Sequence, residues 1–162
     1  MRICVLSDTH IPDRYDALPE QLVAEIKQSD LVIHAGDFTS FELYQQLKRL
    51  KPVKAVRGNM DAAELREELK DKEIFSVQKF KIGIMHGYGK PEKIVETISG
   101  NFDPSFDLVI FGHSHEPCQE KIGKTIYFNP GSPTDKIFAP YNAFGLVEID
   151  GDLRARIEKI TK

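Results

Sequence analysis

Four segments of the chain end in the same way, with an apolar run followed at once by a residue that can bind a metal ion. In each of them a strand-like hydrophobic run passes directly into Asp or His, and a fifth segment ends in Gly-Asn-Met-Asp. The segments are 3–10, 31–37, 82–87, 108–115 and, as the fifth, 53–61. Ligands of open α/β sheets bind beyond the carboxyl ends of the strands. The pattern therefore predicts that these polar residues share one edge and form a metal centre there.

Seven side chains are candidate ligands for this centre. They are Asp8, His10, Asp37, Asn59, His86, His113 and His115. A single zinc takes four protein ligands in structural sites and three in catalytic ones, so seven donors indicate two ions with one shared group. Asp37 is the expected bridge, because its carboxylate can give one oxygen to each cation. The set contains oxygen and imidazole nitrogen but no thiolate, which favours divalent Mn, Fe, Zn, Co or Ni.

The charge of such a centre indicates an anionic substrate. Two divalent cations bring four positive charges, and the carboxylates of Asp8 and Asp37 cancel two of them. A surplus of two remains, which a bridging hydroxide reduces to one. A phosphate group fits this surplus best, since paired metals about 3.5–4 Å apart activate water and stabilise negative charge during phosphate-ester hydrolysis.

The spacing within two of the segments predicts how their ligands point. Asp8 and His10 are two residues apart, as are His113 and His115. In an extended segment this spacing directs both side chains of a pair to the same side. We therefore expect each pair to face the centre together.

Strand and helix signals alternate in the first hundred residues, and turns join the later strands. The predicted strands are 2–7, 31–34, 53–56, 74–78, 80–85, 108–111, 120–122, 125–128, 143–149 and 154–160. Predicted helices follow the first two strands and residue 91, and residues 62–70 are ambiguous. Thr39 and Glu42 have the spacing of a capping box at the start of the second helix. Helical connections early and hairpins late predict an α/β (α+β) fold with two packed sheets and helices outside them.

The polar motifs resemble, in order, those of the calcineurin-like metallophosphoesterases. The resemblance rests on Asp8-Thr9-His10, Gly36-Asp37, Gly58-Asn59, His86-Gly87 and Gly112-His113-Ser114-His115, and it spans residues 8 to 115. Asn129-Pro-Gly-Ser is similar to the compact, YfcE-like phosphodiesterase branch. The resemblance implies a four-layer αββα sandwich of two mixed sheets flanked by helices.

The resemblance also implies an activity and a set of roles. The activity is hydrolysis of a small phosphate ester, most of all a phosphodiester, by a metal-bridging hydroxide. Manganese is the first expectation for the two divalent ions, with Ni, Fe, Zn and Co as alternatives. Asp8, His10 and His115 would bind one ion, Asn59, His86 and His113 the other, and Asp37 both. Asp37, Asn59 and His86 are the residues expected to be catalytic.

Met60 departs from the family pattern. Many members have His directly after Gly-Asn, where it is thought to protonate the leaving group, and a thioether cannot deliver a proton. We expect weak leaving-group protonation or another source of the proton, and therefore a preference for activated esters.

Other polar residues near the motifs have two readings each. His34 precedes the Asp37 motif and is expected to be a hydrogen-bonded core residue rather than a ligand, and Asp61 is expected to orient the Asn59 loop. Arg14 and Arg57 either meet a substrate phosphate or serve the surface and the packing. Lys136 is a weaker candidate for the phosphate, and residues 88–90 form either a simple loop or an anion site.

Bulk properties limit the other classes of function. The chain has 162 residues, which suits a single metallophosphoesterase domain over residues 1–162. A net charge of −3 makes stable nucleic-acid binding an unlikely property and argues against a nuclease. No apolar run approaches membrane-spanning length and no leader is recognised, so we expect a cytoplasmic protein with Cys4 and Cys118 as free thiols.

Two questions remain open, one about an alternative function and one about the oligomeric state. The main alternative function is a non-catalytic scaffold on the same fold, like the family-related subunit of the retromer coat, although the retention of all seven donors favours the enzyme. A homo-oligomer is also open, because strand 143–149 could pair across a dimer if it is exposed.

Overall fold

The fold is described from a computed structural model over residues 1–161; Lys162, the last residue of the predicted domain, lies outside the described residues. The strands are Arg2–Leu6 (β1), Leu31–His34 (β2), Val53–Ala55 (β3), Lys72–Val77 (β4), Phe80–Met85 (β5), Leu108–Ile110 (β6), Cys118–Ile122 (β7), Thr125–Asn129 (β8), Ala143–Asp150 (β9) and Asp152–Lys159 (β10). The helices are Glu20–Gln28 (α1), Phe41–Leu50 (α2), Ala63–Glu68 (α3) and Ile94–Ser99 (α4), and a 3-10 turn over Pro91–Lys93 precedes α4. The ambiguous stretch 62–70 is therefore helical in its centre.

The strands form two mixed sheets, as predicted. The first has the order β10-β9-β1-β2-β3 and the second the order β4-β5-β6-β8-β7. The strands that precede the metal motifs are parallel within each sheet: β1, β2 and β3 in the first, β5 and β6 in the second. Hairpin partners complete the sheets with antiparallel strands.

Alternating side chains place each sheet between two apolar layers. In β1, Ile3 and Val5 face the second sheet, whereas Cys4 and Leu6 face α1 and α2. This period of two follows from the pleat of a strand. A third cluster packs α4 against the outer face of the second sheet through residues such as Ile98 and Val109. The result is the four-layer αββα sandwich that the sequence predicts.

The start of α2 differs from the prediction. Ser40, not Thr39, is the N-cap, and its hydroxyl accepts a hydrogen bond from the amide of Leu43 at 3.2 Å. Thr39 instead has a φ of 73° and donates its hydroxyl to the carbonyl of Ile11 at 2.9 Å. The capping-box interpretation was wrong because Thr39 is needed to join the loops after β1 and β2.

The interpretation of 143–149 as an exposed strand was also wrong. Strand β9 lies between β1 and β10 and pairs with both, and its side chains from Ala143 to Val147 are buried. The edge strand on this side of the sheet is β10, which alternates exposed charged residues with half-buried apolar ones. Charges on an edge strand discourage pairing with another chain.

The two cysteines are free thiols, as expected. Cys118 is the first residue of β7. Within residues 1–161, no helix has the length and apolarity required to span a bilayer.

Candidate metal centre

All seven predicted ligands lie in loops that follow the ends of five strands. Asp8 and His10 follow β1, Asp37 follows β2 and Asn59 follows β3, all in the first sheet. The other three come from the second sheet, with His86 after β5 and the pair His113 and His115 after β6. The two sheets therefore contribute side chains to the same place.

Five of these seven residues have a left-handed backbone. The φ values are 53° for Asp8, 45° for His10, 59° for Asp37, 70° for His113 and 59° for His115. Such values are uncommon for residues other than glycine and cluster at functional sites. The expectation that Asp8/His10 and His113/His115 lie in extended segments was therefore wrong. Each loop turns sharply after its strand instead.

Four of the side chains form a compact, buried group. Ligand atoms of Asp8, His10, Asp37 and His115 all lie within 4.8 Å of one another. The Nε2 atoms of His10 and His115 are 3.3 Å apart, and Asp8 Oδ1 is 3.4 Å from His115 Nε2. His10 Nε2 lies 3.6 Å from Asp37 Oδ2. We name these four residues the buried group.

The other three side chains form a second, more open group around Asn59. Asn59 Oδ1 lies 3.1 Å from His86 Nε2 and 3.3 Å from His113 Nδ1. Asp37 Oδ2 is 3.3 Å from His86 Nε2, so one oxygen atom adjoins both groups. The other oxygen, Oδ1, accepts a hydrogen bond from the amide of Met60 at 2.8 Å. A single oxygen, rather than one for each cation, is therefore the atom that the two groups share.

Hydrogen bonds orient three of the four imidazoles. The outer nitrogens of His86 and His113 donate to the carbonyls of Ala35 at 2.7 Å and Gly89 at 3.0 Å, since a carbonyl can only accept. His115 makes the corresponding contact with a carboxylate through its Nδ1. In each case the other ring nitrogen faces the centre. Outer hydrogen bonds of this kind set the tautomer and the orientation of metal-binding histidines.

The donor chemistry and the spacing fit divalent cations. Ligand atoms about 2.0–2.2 Å from a common ion lie roughly 3 Å apart. The neighbouring donors of the buried group are separated by 3.3–3.6 Å, and those around Asn59 by 3.1–3.3 Å. Oxygen and imidazole ligands without thiolate suit Mn, Fe, Zn, Co or Ni. The buried group is thus a candidate site for a divalent metal ion.

The proton affinities of the site follow from its burial and its charges. Burial alone would lower the pKa of His86, but the hydrogen bond to Asp37 and the charges of Asp8 and Asp37 outweigh it and raise the pKa to about 9. Burial would raise the pKa of Asp37, but His86 and the amide of Met60 hold it at about 2. In the metal-free protein the two residues form an ion pair.

His34 is a core residue, as expected. It is fully buried and stacks on Phe38 with ring centroids 3.5 Å apart. Its Nδ1 accepts from the amide of Gly36 at 3.1 Å, so Nε2 carries the proton and lies 3.0 Å from the hydroxyl of Thr9. Burial lowers the pKa of His34 well below its ordinary value, and the ring is neutral.

Asp61 orients the Asn59 loop, which agrees with the sequence interpretation. Its Oδ2 accepts from the amides of Gly58 at 2.7 Å and Asp37 at 3.2 Å, and its Oδ1 accepts from the amide of Thr39 at 2.9 Å. One carboxylate therefore connects the loops after β2 and β3.

Asp135 is the residue at the site that sequence reasoning missed. It is 1% exposed, and its Oδ2 accepts from His115 Nδ1 and, at 3.1 Å, from Arg14 Nη1. Burial opposes ionisation, but the amide of Ile137 and His115 lower the pKa of this carboxyl. Its position soon after Asn129-Pro-Gly-Ser was the available signal, because that turn also supports the centre. The hydroxyl of Ser132 donates to the carbonyl of Asp8 at 2.7 Å.

The basic residues singled out in the sequence have other partners. Arg14 pairs with Asp135, and Arg57 makes two hydrogen bonds to Asp71 at 2.7 and 2.9 Å. Lys136 stacks on Tyr15 at 4.7 Å and does not line the centre. Arg14 also lines a cavity with His10 and His115, and Arg57 lines a second cavity with Asn59 and His86. Both arginines therefore remain candidates to meet a substrate phosphate.

Comparison with known proteins identifies the class to which this fold and site belong. A model of the calcineurin-like phosphoesterase superfamily domain matches residues 1–152, and the chain therefore belongs to this superfamily. A probable metallophosphoesterase of Methanothermobacter thermautotrophicus is 36% identical over 135 residues, which are 83% of this chain and 78% of that protein. A phosphodiesterase of Methanocaldococcus jannaschii is 32% identical over an alignment of 147 positions, and the match covers 81% of this chain and 83% of that protein.

A solved structure with the same fold was determined as a zinc complex. Wild-type Vps29 of Entamoeba histolytica, complexed with Zn²⁺, has a TM-score of 0.74 and 26% identity, and the match covers 98% of this chain and 99% of that one. The predicted family and fold are confirmed.

Proposed function

We propose that this protein hydrolyses phosphodiesters at a centre of two divalent ions, with manganese as the first candidate metal. The observation that carries the proposal is the position of Asp37 Oδ2, which lies 3.6 Å from His10 in the buried group and 3.3 Å from His86 in the open group. An oxygen in that position can be shared by two cations. The proposed ligands are the seven residues predicted from the sequence, with Asp37 as the bridge.

The proposed reaction adds water to phosphorus and releases an alcohol. The new bond joins the water oxygen to phosphorus, the P–O bond to the leaving group breaks, and the products are a phosphomonoester and an alcohol. Bound ions would supply the activation of the water and neutralise the charge that develops on phosphate. The protein's own contribution is a rigid frame, since Asp61, Asp135 and two backbone carbonyls hold the ligand side chains in place.

Asn59 and His86 have proposed roles towards the substrate. The Asn59 side chain is exposed at the mouth of the centre, so its amide Nδ2 can donate to a phosphate oxygen while Oδ1 faces the imidazoles. His86 lies behind it and is 4% exposed. Its Nε2 connects Asn59 to Asp37, which positions the substrate-binding amide relative to the shared oxygen.

The leaving group receives little help from Met60. Its side chain is 52% exposed and lines the cavity above the centre together with His10, Asn59 and His113. A thioether has no proton to give, so esters whose leaving group is already a good one should react fastest.

The relatives support the class of function in different ways. The Methanocaldococcus jannaschii relative is itself described as a phosphodiesterase. The Vps29 structures represent the alternative, a protein-sorting scaffold on this fold. All seven donors converge here, which fits a catalytic centre, but the Vps29 structure also holds Zn²⁺. Turnover, rather than metal binding alone, is therefore the property that separates the enzyme from the scaffold.

Metal removal and resupply tests the proposal. Protein stripped of metal should not hydrolyse an aryl phosphodiester, and Mn²⁺, Ni²⁺ or Zn²⁺ should restore turnover. Asp37→Asn should abolish this turnover, whereas the exposed control Asp103→Asn should retain it. Binding of two ions without turnover on any diester would overturn the proposal and favour the scaffold.

A further inference from the structure

We propose that the cavity beside Asn59 and His86 is a subsite for a planar ring on the substituent that stays attached to phosphorus. The inference rests on the proposed phosphodiesterase function and assigns its substrate class. The shared chemistry is an aromatic ring with a hydrogen-bond acceptor, as found in an aryl ester and in a nucleoside ester.

The cavity opens directly from the centre and has room for such a group. Its volume is about 650 Å³, which is in the range of small-molecule sites. Asn59 and His86 form the wall that it shares with the centre. Its other walls include Met85, Tyr88 and Arg66, which are an apolar, an aromatic and a cationic side chain. The cavity above the centre, bordered by Met60 and Phe138, is smaller, at about 260 Å³.

Tyr88 presents an unused aromatic surface in the cavity that Asn59 and His86 also line. Its side chain is 56% exposed, and within the described residues neither a ring nor a cation stacks on it. The backbone on both sides of it is anchored, because His86 is a proposed ligand and the carbonyl of Gly89 accepts from His113. Aromatic side chains held in this way stack on the faces of bases and aryl rings without regard to sequence.

Arg66 supplies a hydrogen-bond donor to the same cavity. Its Nε donates to the carbonyl of Asp61 at 2.8 Å and its Nη2 to the carbonyl of Asn59 at 2.8 Å. In the part of the chain that the structure describes, Nη1 makes no hydrogen bond. These two bonds orient the guanidinium and leave Nη1 available for an acceptor atom on the ring.

The geometry of substitution at phosphorus selects the substituent that enters the cavity. In an in-line displacement the leaving oxygen lies opposite the attacking water. The ester group that does not leave projects to the side, and of the two cavities that Asn59 borders, the one at Tyr88 is the larger. A preference for a ring-bearing substituent should therefore appear in kcat/KM when the leaving group is held constant and the other substituent is varied.

Three esters with the same leaving group test this assignment. The substrates are methyl p-nitrophenyl phosphate, bis(p-nitrophenyl) phosphate and the p-nitrophenyl ester of thymidine 5′-phosphate, each assayed with the Mn²⁺-loaded protein. We expect kcat/KM for at least one ring-bearing ester to exceed that for the methyl ester. Tyr88→Ala should reduce the ratio of these two kcat/KM values about tenfold. Tyr88→Phe should preserve the ratio, and so should Phe138→Ala on the other cavity. The comparison of the two ring-bearing esters distinguishes an aryl source from a nucleoside source.

Binding without turnover provides an independent readout. Tyr88→Ala should weaken the binding of phenyl phosphate or thymidine 5′-phosphate about tenfold in calorimetry and leave the binding of inorganic phosphate unchanged. An unchanged ratio and unchanged binding in Tyr88→Ala, or a loss in Phe138→Ala instead, would overturn the subsite while the methyl ester still reports the activity. Lack of turnover of all three esters by the metal-loaded wild type would count against the phosphodiesterase itself.

Discussion

Asp135 shows how one buried side chain can control a ligand that is 20 residues earlier in the chain. Its carboxylate fixes the tautomer of His115 and leaves Nε2 free to face the buried group. The same carboxylate is held by the amides of Ile137 and Phe138 and by Arg14. A change at Asp135 should therefore act on metal binding through the orientation of His115.

Asp135→Asn should weaken metal binding about tenfold, as is typical when the partner of a metal-binding histidine is altered. The measurement is a chelator competition with Mn²⁺. The matched control is Asp107→Asn, because Asp107 also accepts a backbone amide, that of Lys81 at 2.8 Å, but lies away from the centre. Equal affinities in the two variants would show that Asp135 has only a structural role.

Met60→His should raise turnover on diesters with poor leaving groups and change turnover on activated esters little. The side chain at this position is exposed at the mouth of the centre, whereas the contact to Asp37 uses the backbone amide and survives substitution. General acids contribute about 10²–10⁴-fold to such steps. The test compares alkyl and p-nitrophenyl esters in Met60→His and in Met60→Gln, which has similar bulk and no proton to deliver. A similar gain in both variants would remove support for the missing acid.

Metal binding should release about one proton at pH 7.5. The pKa of His86 is raised to about 9 in the metal-free protein, so its ring is protonated at that pH and must lose the proton to bind a cation. Affinity for metal should accordingly fall as the pH is lowered from 9. Calorimetry in two buffers of different ionisation enthalpy measures the release. The His86→Gln variant should not release this proton on binding metal. The prediction fails if the variant and the wild type release the same number of protons.

At the scale of the elements, the loops after the strands are shaped by close approach as well as by φ. A Cβ atom at Gly58 would collide with the carboxylate and the backbone nitrogen of Asp37. The glycine is therefore required by space, because the loop after β3 lies directly against the loop after β2. Motif glycines of this kind bring two ligand loops into contact.

Gly58→Ala should cost about 1–3 kcal/mol of stability, as overpacking usually does, and should displace Asp37 enough to weaken metal binding. Gly100→Ala is the matched control, since a Cβ atom there would meet backbone oxygens at an ordinary 3.6 Å. Urea denaturation and metal titration of both variants check the prediction. Unchanged metal affinity in Gly58→Ala would mean that the loop relaxes without moving the carboxylate.

At the scale of the whole molecule, the candidate centre connects the two sheets. The first sheet supplies Asp8, His10, Asp37 and Asn59, and the second supplies His86, His113 and His115. Between them the sheets bury a shared apolar layer that ends at this edge. A bound metal should therefore hold the ends of both sheets together and stabilise the native state as a unit.

Metal at 100 times its Kd should add about 2.7 kcal/mol to the free energy of unfolding. For a chain of this size the expected rise in Tm is about 5–10 °C relative to the chelator-treated protein. Thermal denaturation with and without Mn²⁺ measures it, and Gly58→Ala should show a smaller rise. Measured binding without a rise in Tm would contradict the prediction, since it would mean that the unfolded chain binds the ions as well as the native state does.

Much of the fold could be predicted from local chemistry. Apolar runs that end in Asp or His marked the strand ends, and helical spacing marked α1, α2 and α4. Both signals are local, because side-chain periodicity reflects the geometry of each element by itself. The capping of α2 and the position of β9 could not be predicted, since both depend on neighbours that are distant in sequence.

The features of the candidate site likewise divide into those that the sequence predicts and those that only the tertiary structure decides. The sequence by itself determined the family, the seven donor side chains and their order along the chain, because each donor follows its own strand in a short motif. Only the tertiary structure decided that Asp37 adjoins both groups through one oxygen, that Asp135 orients His115, and that a cavity bordered by Tyr88 and Arg66 opens beside Asn59. These features arise where loops of two sheets meet, and no local pattern encodes the distance between residues that only folding brings together.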